Sequence, residues 1–410
     1  MRSFSQVCAE LDRRRHITLG FERIEALLTA LGRPDLALPH VVQVVGTNGK
    51  GTTAIALAAA LEEKGHASGA YLSPHVLSYT ERVWLRGRRV SEAEFVRGVG
   101  AAMEAADDRG IPASQFEVLT AGALKLFADA GLEWVILEAG MGARHDATSV
   151  ARAEAVVLTN VDLDHTHYLG ETVEEIATEK LASLRPGATL LLGTDEPTVL
   201  EVAERECRRI GARLVRVGEV DEEQIARFGF VPYAARDVGL GFAAAEVLLD
   251  GCLPSEARES AAAAVKDALP GRFEVHEIHG VPVVLDGGHN AAGVRAALAA
   301  VESAYGGRPL AVVFGVLRDK DAGSMLTALR GEARVVVLTR PEGERAAEPG
   351  LVAREQEQPL DLVGRSTLVV EDPVHAVGAA AGRMAEVGGV VLVTGSLSTI
   401  APVLRWLRET

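Results

Sequence analysis

Short apolar segments alternate with longer amphipathic segments along almost the whole chain. The short segments hold three to five residues, mostly Val, Leu and Ile, and are typical of buried parallel strands. They lie at 41–45, 134–138, 156–160, 189–192, 214–217, 281–285, 310–314, 335–338, 368–370 and 390–393. The longer segments favour helices, among them 54–63, 174–184, 243–250 and 255–267. This alternation predicts an α/β fold with mostly parallel sheets and helices on both faces.

The pattern breaks once, at Leu269-Pro270-Gly271-Arg272, and a fresh strand–helix series follows. A chain of 410 residues is also too long for one ordinary hydrophobic core. We therefore predict two domains. The first, 1–268, has a P-loop-type, mostly parallel sheet, and the second, 269–410, is a smaller Rossmann-like α/β domain.

Residues 40–53 read His-Val-Val-Gln-Val-Val-Gly-Thr-Asn-Gly-Lys-Gly-Thr-Thr, a strand that turns through three glycines into a helix. Such a turn directs backbone N–H groups and a helix N-terminus at one point, where an anion binds well. Lys50 adds a positive charge, and Thr52 or Thr53 offers a hydroxyl to phosphates or to Mg²⁺. The spacing differs from the common phosphate-loop pattern because Gly51 separates Lys50 from Thr52. An ATP site is favoured over an ordinary glycine-rich turn.

Polar side chains follow two other strands of the first domain. Glu138 closes one of them, and ligands of open α/β sheets lie at the carboxyl ends of the strands. A carboxylate there is a natural Mg²⁺ ligand or water-orienting group, although a surface acid at a strand end would look the same. Arg144 and Asp146, in the loop that follows, either bind substrate or pair with each other. The Asp and His cluster of 159–165, with His165, would hold a second cation or position a phosphate.

Lys180 lies on the predicted helix 174–184. Its spacing alone indicates a solvated lysine paired with Glu175 or Glu179.

The second domain has its own polar groups at strand ends or at its start. They are Arg272 and the segments 286–290, 319–321 and 394–396. Each is weak evidence alone, but together they predict a binding face turned toward the first domain.

The net charge of −15 argues against a nucleic-acid partner, which would need a basic surface. No apolar stretch has membrane-spanning length, and the charged N-terminus does not read as a signal peptide. Three scattered cysteines form no disulfide framework, so a cytoplasmic protein is expected. The chain has 36 Arg but only six Lys, and Lys50, Lys180 and Lys320 all lie in the segments described above.

Taken in order, these segments resemble the Mur ligase superfamily, and specifically its folylpolyglutamate synthase/dihydrofolate synthase family. The Ser-Pro-His segment at 73–75, followed by Thr-Glu-Arg-Val at 80–83, resembles the folate branch in particular. The other matching segments are 46–53, 116–117, 138–148, 159–165, 179–180, 270–272, 286–290, 319–321 and 394–397.

The resemblance implies an ATP-dependent amide ligase with its active site in the cleft between the domains. A carboxylate of dihydropteroate or tetrahydrofolate would take the γ-phosphoryl group of ATP, and L-glutamate would displace phosphate from the acyl phosphate. We expect both acceptors to react. The alternatives are a dihydrofolate synthase only, or a nucleotide-binding scaffold without turnover. A peptidoglycan ligase is disfavoured because a phosphate loop at Gly46 leaves no room for the extra N-terminal domain of those enzymes.

The resemblance also assigns roles to individual residues. ATP would contact Gly46, Thr47, Asn48, Gly49, Lys50, Gly51, Thr52, Thr53, Arg272 and Asp286. Mg²⁺ would be bound by Ser73, Glu138 and His165, with K⁺ as a further cation and a second metal at carbamylated Lys180. The catalytic group would be Lys50, Glu138, His165 and Lys180. The pterin pocket would comprise Phe116, Glu117, Arg144, Asp146 and Ala147, and glutamate would contact His289 and Ser396.

The chain departs from the family pattern at a few positions. Ala143 replaces a glycine, Ser149 an asparagine and Ala291 a proline. The segment 225–250 contains neither Asn nor Gln, although the family carries an adenine-contacting Asn on a helix there. The resemblance therefore leaves the adenine contact unassigned. It also implies a monomer that takes only small-molecule substrates.

Overall fold

The computed structural model describes residues 2–16, 20–217, 225–329, 331–354 and 366–409. The chain forms two compact units. One comprises Met1–Phe230 and Ala234–Leu269, and the other comprises Val231–Tyr233 and Pro270–Thr410. Three residues thus belong to the C-terminal unit although the chain on both sides of them belongs to the N-terminal unit.

The N-terminal unit contains an eight-stranded sheet with the order β4-β3-β2-β5-β1-β6-β7-β8. Its strands are β1 His40–Val45, β2 Ser68–Tyr71, β3 Val83–Leu85, β4 Arg88–Arg89, β5 Trp134–Glu138, β6 Ala155–Leu158, β7 Thr189–Leu192 and β8 Arg213–Arg216. The strands from β2 to β8 in this order are parallel, and β3 and β4 extend the sheet with antiparallel pairing. The carboxyl ends of β1, β5 and β6 therefore meet at one edge.

Helices cover both faces of this sheet. They are α1 Phe4–Arg13, α2 Glu22–Ala30, α3 Lys50–Glu63, α4 Glu92–Asp108, α5 Gln115–Asp129, α6 Thr166–Leu169, α7 Val173–Lys180, α8 Pro197–Ile210, α9 Pro232–Leu249 and α10 Ser255–Ala268. Neighbouring residues of β1 enter different cores: Val41 packs with α1, α2, α4 and α5, whereas Val42 packs with α3, α9 and α10. Burial on both faces explains why the central strands are continuously apolar.

The C-terminal unit contains a six-stranded sheet with the order β13-β12-β11-β14-β10-β9. Its strands are β9 Glu274–Ile278, β10 Val281–Leu285, β11 Leu310–Phe314, β12 Val335–Leu338, β13 Ser366–Val369 and β14 Val390–Thr394. Its helices are α11 Ala291–Tyr305, α12 Ala322–Leu329, α13 Pro349–Arg354, α14 Pro373–Ala385 and α15 Leu397–Glu409. All its strands are parallel except β9, which pairs with β10 as a hairpin.

The predicted α/β class with two mostly parallel sheets is confirmed, and all ten predicted strands are present. Strands β2, β3, β4 and β9 were not predicted. The second series therefore begins with a hairpin rather than a strand–helix unit. The segment 243–250 is only the end of α9, and the predicted helix 174–184 ends as an α-helix at Lys180. Across the described ranges, the helices are all too short or too polar to cross a membrane.

Candidate active site

The phosphate loop forms the turn between β1 and α3. Helix α3 begins at Lys50, four residues earlier than expected, because Gly49 takes a left-handed conformation (φ 80°) and the Thr53 N–H donates to its carbonyl at 2.9 Å. The first N–H groups of α3 therefore face the loop, as anion binding requires. The hydroxyl of Thr53 donates to the carbonyl of Asp237 at 3.0 Å inside the core. This leaves Thr52 as the hydroxyl for a phosphate or a cation.

The end of β6 anchors this loop through an asparagine pair. Asn160 accepts the backbone N–H of Asn48 at 3.0 Å and donates its amide to the carbonyl of Asn48, also at 3.0 Å. The Thr159 hydroxyl donates to the same carbonyl at 2.6 Å. The Thr47 N–H donates to the Asn160 carbonyl at 2.9 Å. The two segments predicted at strand ends, 46–53 and 159–165, are thus brought together.

Two glycines permit close approach of other elements. A Cβ at Gly46 would overlap the hydroxyl of Thr159, and a Cβ at Gly49 would overlap the carboxylate of Asp237. Asp237 lies on α9, is buried, and was not predicted as a site residue. The available signal was a single acid in the otherwise apolar or basic segment 234–245.

Glu138 ends β5 directly beside β1 and is buried. Its Oε2 accepts the backbone N–H of Ser73 at 2.8 Å. A Cβ at Gly51 would lie 3.4 Å from the same oxygen, in ordinary contact. The structure thus brings Ser73 and Glu138, two of the three predicted Mg²⁺ ligands, to the phosphate loop.

His165 precedes α6 in a left-handed conformation (φ 51°), and its backbone N–H donates to Asp164 at 2.8 Å. No group of three His, Cys, Asp or Glu side chains is arranged to hold a metal within the described ranges. Mg²⁺ needs no such group, because it is usually held by one or two carboxylates together with substrate phosphates and water. The oxygen donors of Ser73 and Glu138 beside a phosphate loop fit this kind of binding.

Lys180 is buried, so the expectation of a solvated lysine is wrong. Its Nζ donates to the carbonyl of Gly46, at the start of the phosphate loop, at 2.7 Å. Burial first, and then the charge of Lys50, lower the pKa of Lys180 to about 7. The Nζ of Lys50 donates to the carbonyl of Thr47 at 3.1 Å. The amines of Lys180 and Lys50 thus both donate to backbone carbonyls of the phosphate loop.

The two acids considered as partners of Lys180 have other functions. Glu175 forms a capping box with Thr172 at the start of α7. Glu179 binds Arg144, with its Oε2 2.8 Å from Nε. Of the two alternatives for Arg144 and Asp146, pairing with each other is therefore wrong, and substrate binding stays a prediction.

Asp146 holds together the loop that follows Glu138. Its Oδ2 accepts the N–H groups of Gly140 and Met141 at 2.9 and 3.0 Å. Its Oδ1 accepts the backbone N–H and the hydroxyl of Thr148 at 3.0 and 2.5 Å. Burial raises the pKa of the Asp146 carboxyl, although these four donors oppose that shift. Asp146 shapes the predicted pterin loop from inside.

Gln43 supports the same loop from β1 and was not predicted. Its amide donates to the hydroxyls of Thr148 and Ser149, both at 2.8 Å. Ser149 stands at one of the departures from the family pattern. An amide inside an apolar strand was the signal that could have found Gln43.

The remaining predicted pterin residues lie near this loop. The ring of Phe116 packs on Tyr71, with centroids 5.9 Å apart, and a Cβ at Gly140 would overlap the edge of the Phe116 ring at 2.7 Å. Ala147 is buried. The carboxylate of Glu117 is used within the fold, because it caps α5 and pairs with Arg23 at 3.1 Å.

In the C-terminal unit, Asp286 follows β10 and is buried. It accepts the Tyr233 hydroxyl and the N–H groups of Phe273 and Gly288, the latter two at 3.2 and 3.0 Å. Burial raises the pKa of Asp286, while these hydrogen bonds and the charge of Arg272 lower it.

The other predicted groups of this unit lie at the ends of neighbouring strands. The Gly288 carbonyl accepts the Gly395 N–H at 2.9 Å, which joins the loops after β10 and β14. These loops carry His289, whose Nδ1 is 3.1 Å from the Gly287 carbonyl, and Ser396, which is buried.

The segment 319–321 makes local contacts. Asp321 binds Ser324 through the backbone N–H at 2.9 Å and through the hydroxyl at 2.5 Å, and Asp319 pairs with Arg345 at 3.3 Å.

Both units match known protein families. The Mur ligase middle domain matches residues 44–238, and the Mur ligase, glutamate ligase domain matches residues 271–397. The chain is 32% identical over 412 residues to the dihydrofolate synthase/folylpolyglutamate synthase of Escherichia coli (strain K12), covering 95% of this chain and 91% of that protein.

Solved structures of relatives show the same fold. The Mycobacterium tuberculosis folylpolyglutamate synthase complexed with ADP has a TM-score of 0.87 and 29% identity, over 98% of each chain. A bifunctional folylpolyglutamate synthase/dihydrofolate synthase with Mn, AMPPNP and L-glutamate bound has a TM-score of 0.83 and 29% identity, over 100% of this chain and 98% of that chain.

Proposed function

Since this chain belongs to the dihydrofolate synthase/folylpolyglutamate synthase family of Mur ligases, we propose that it uses ATP to join L-glutamate to a folate-type carboxylate. The carboxylate oxygen of the acceptor attacks the γ-phosphorus of ATP, which gives an acyl phosphate and ADP. The amine of L-glutamate then attacks the acyl carbon, loses a proton and expels phosphate, leaving an amide. The acceptors are dihydropteroate and tetrahydrofolate.

One observation carries this proposal most strongly. The carbonyl of Gly46 binds Lys180, while Glu138 lies against Gly51 of the same loop. Phosphoryl transfer depends on positioning and on positive charge around the phosphates. The N–H groups of the loop, the amine of Lys50 and the hydroxyl of Thr52 provide these contacts for ATP.

The proposed Mg²⁺ site is supported by the contact between Ser73 and Glu138 beside the phosphate loop. Ser73, Glu138 and His165 would hold Mg²⁺, which neutralises phosphate charge when it is bound. A buried amine with a pKa of about 7 is half neutral near physiological pH, and only a neutral amine reacts with CO₂. We therefore infer that Lys180 becomes carbamylated and holds a second metal.

The acceptor would bind beside the loop that follows Glu138. Phe116 offers an aromatic face, and Arg144 offers a half-exposed guanidinium. Asp146 binds the backbone of the loop and Glu117 pairs with Arg23, so both would shape the pocket without contacting the acceptor. In the C-terminal unit, Arg272 and Asp286 would contact the nucleotide.

His289 and Ser396 would contact the incoming glutamate. Their loops are joined by the hydrogen bond between Gly288 and Gly395.

Phosphate release tests the proposal directly. The assay combines ATP, Mg²⁺ and L-glutamate with dihydropteroate or tetrahydrofolate, and we expect release with both acceptors. Release with dihydropteroate alone would identify a dedicated dihydrofolate synthase. Silence with both acceptors, despite measurable ATP binding, would overturn the proposal in favour of a nucleotide-binding scaffold.

A matched pair of variants separates turnover from folding. Lys50→Met removes the phosphate-loop amine, and we expect it to abolish phosphate release while the fold persists. Lys64→Met alters the C-cap of the same helix, where Nζ lies 3.4 Å from the Cys252 carbonyl, and we expect nearly wild-type turnover.

We place the enzyme in the cytoplasm, because its three cysteines are all free.

A further inference from the structure

The carboxylate of Glu179 holds Arg144 at two points. Oε2 accepts the side-chain Nε at 2.8 Å, and Oε1 accepts the backbone N–H of the same residue at 3.2 Å. The Glu179 side chain is only 18% exposed, whereas that of Arg144 is 52% exposed. One carboxylate therefore holds both the backbone and the side chain of Arg144, although half of that side chain is exposed.

The loop backbone is shaped to accept this carboxylate. Gly142 lies two residues before Arg144 and has a left-handed conformation (φ 65°). A Cβ at Gly142 would lie 3.2 Å from Oε1 of Glu179 and 2.8 Å from a methyl group of Leu169. A glycine is needed at this position because the loop packs directly on Glu179.

The next residue along α7 binds a different loop. Lys180 donates to Gly46 of the phosphate loop, while Glu179 binds the loop that follows Glu138. Helix α7 is fixed by Ile176 and Ala177, which pack in one buried cluster with Val45 of β1 and with Ala139 and Ala143 of the Glu138 loop. The end of α7 thus connects the two loops.

We infer that Glu179 is a positioning residue for the folate-type acceptor, acting through Arg144. This inference rests on the proposed function, because it needs the acceptor to bind beside Arg144. Glu179 fixes the guanidinium before the acceptor arrives, so less conformational entropy is lost on binding. We expect Glu179 to affect the binding of the acceptor and not the binding of ATP, because the phosphate loop is contacted by Lys180 instead.

Steady-state kinetics of Glu179→Ala and Glu179→Gln test the inference. We expect Glu179→Ala to raise the KM for dihydropteroate about tenfold, with kcat and the KM for ATP within about twofold of wild type. Glu179→Gln keeps one oxygen acceptor, so its KM should fall between those of wild type and Glu179→Ala. Glu174→Gln is the matched control, because Glu174 lies on the same helix and pairs with Arg205 at 2.9 Å instead.

A double-mutant cycle with Arg144→Ala distinguishes positioning from a general structural role. If Glu179 acts through the guanidinium of Arg144, the double variant has the same acceptor KM as Arg144→Ala alone. Multiplied effects, an unchanged acceptor KM, or an equal rise in the KM for ATP would each overturn the inference. Thermal unfolding of each variant identifies any loss of fold, and Glu179→Gln serves if Glu179→Ala does not fold.

The wild-type enzyme separates the two proposals. If it glutamylates neither acceptor, the proposed function has failed. If it is active and Glu179→Ala matches it in every constant, only the role of Glu179 has failed.

Discussion

The Nζ of Lys180 lies 2.7 Å from the carbonyl oxygen of Gly46, and the surrounding protein buries both groups. Protonating this amine is unfavourable, because it is buried away from water and is repelled by the positive charge of Lys50. The contact therefore makes two properties depend on pH, the stability of the fold and the reactivity of the amine.

We expect the stability of the wild type to rise relative to Lys180→Met between pH 7 and pH 10. The unfolded lysine binds a proton up to about pH 10.4, whereas the folded one loses it near pH 7. Over this window the unfolded state binds more protons, so the difference grows by up to about 1.4 kcal/mol per pH unit. Below pH 7 the difference is constant. Urea unfolding at several pH values measures it.

Lys125→Met is the control for this pH series. Lys125 lies on the surface of α5 and pairs with Asp129 at 2.9 Å. The difference in free energy of unfolding between Lys125→Met and the wild type should stay constant between pH 7 and pH 10. A level difference for Lys180→Met as well would contradict the prediction.

Activity should depend on dissolved CO₂ if Lys180 forms a carbamate. We expect phosphate release to fall severalfold in buffer depleted of CO₂ and to recover when bicarbonate is added. Lys180→Arg keeps a cation but forms no carbamate at this pH, so bicarbonate should not restore its activity. Recovery of that variant by bicarbonate, or indifference of the wild type, would argue against carbamylation.

Gly49→Ala should impair both folding and ATP binding. A left-handed alanine costs about 1–2 kcal/mol, and the collision with Asp237 adds about 1–3 kcal/mol. Gly65→Ala is the matched control, because Gly65 has a similar φ of 86° and no atom within 4 Å of the added Cβ. We expect Gly65→Ala to lose only the stability that a left-handed alanine costs, and to bind ATP normally.

Unfolding free energies and ATP titrations of these two variants are compared. Equal losses of stability would show that the contact with Asp237 has no effect. In the double variant Gly49→Ala/Asp237→Ala, the excess loss should largely disappear.

Tyr233→Phe should destabilise the C-terminal unit by about 1–3 kcal/mol. The hydroxyl of Tyr233 donates to the buried carboxylate of Asp286, and removing it leaves that carboxylate with fewer donors. Tyr168→Phe, at a side chain that is 55% exposed, should change stability by less than about 0.5 kcal/mol. Equal unfolding free energies for the two variants would contradict this prediction.

The strand pattern and the phosphate loop could be predicted because each depends on local chemistry. Buried parallel strands such as β1 and β5 are continuously apolar, and a phosphate loop needs glycines at fixed places. Strand β2, Ser68–Tyr71, has little apolar character, and β4 contains only Arg88–Arg89, so their pairing depends on neighbours. Strand β9, Glu-Val-His-Glu-Ile, is mostly polar and pairs with β10 in an antiparallel hairpin, so it contains no apolar run that could have predicted it.

The contacts that complete the site join residues far apart in the sequence. The burial of Lys180 depends on a loop 134 positions earlier, and the contact of Gly49 with Asp237 depends on how α9 packs on α3. A lysine on an amphipathic helix has the same local pattern whether it is solvated or buried. Such contacts require the tertiary structure.

The assignment of Val231–Tyr233 to the C-terminal unit has a consequence for biosynthesis. Tyr233 leaves the ribosome 53 residues before its partner Asp286, and α10 of the other unit is made in between. The N-terminal unit can therefore complete its helices while this tyrosine still lacks its carboxylate. A gene fragment that starts at Pro270 would encode every strand of the second sheet and still omit part of the unit it was meant to express.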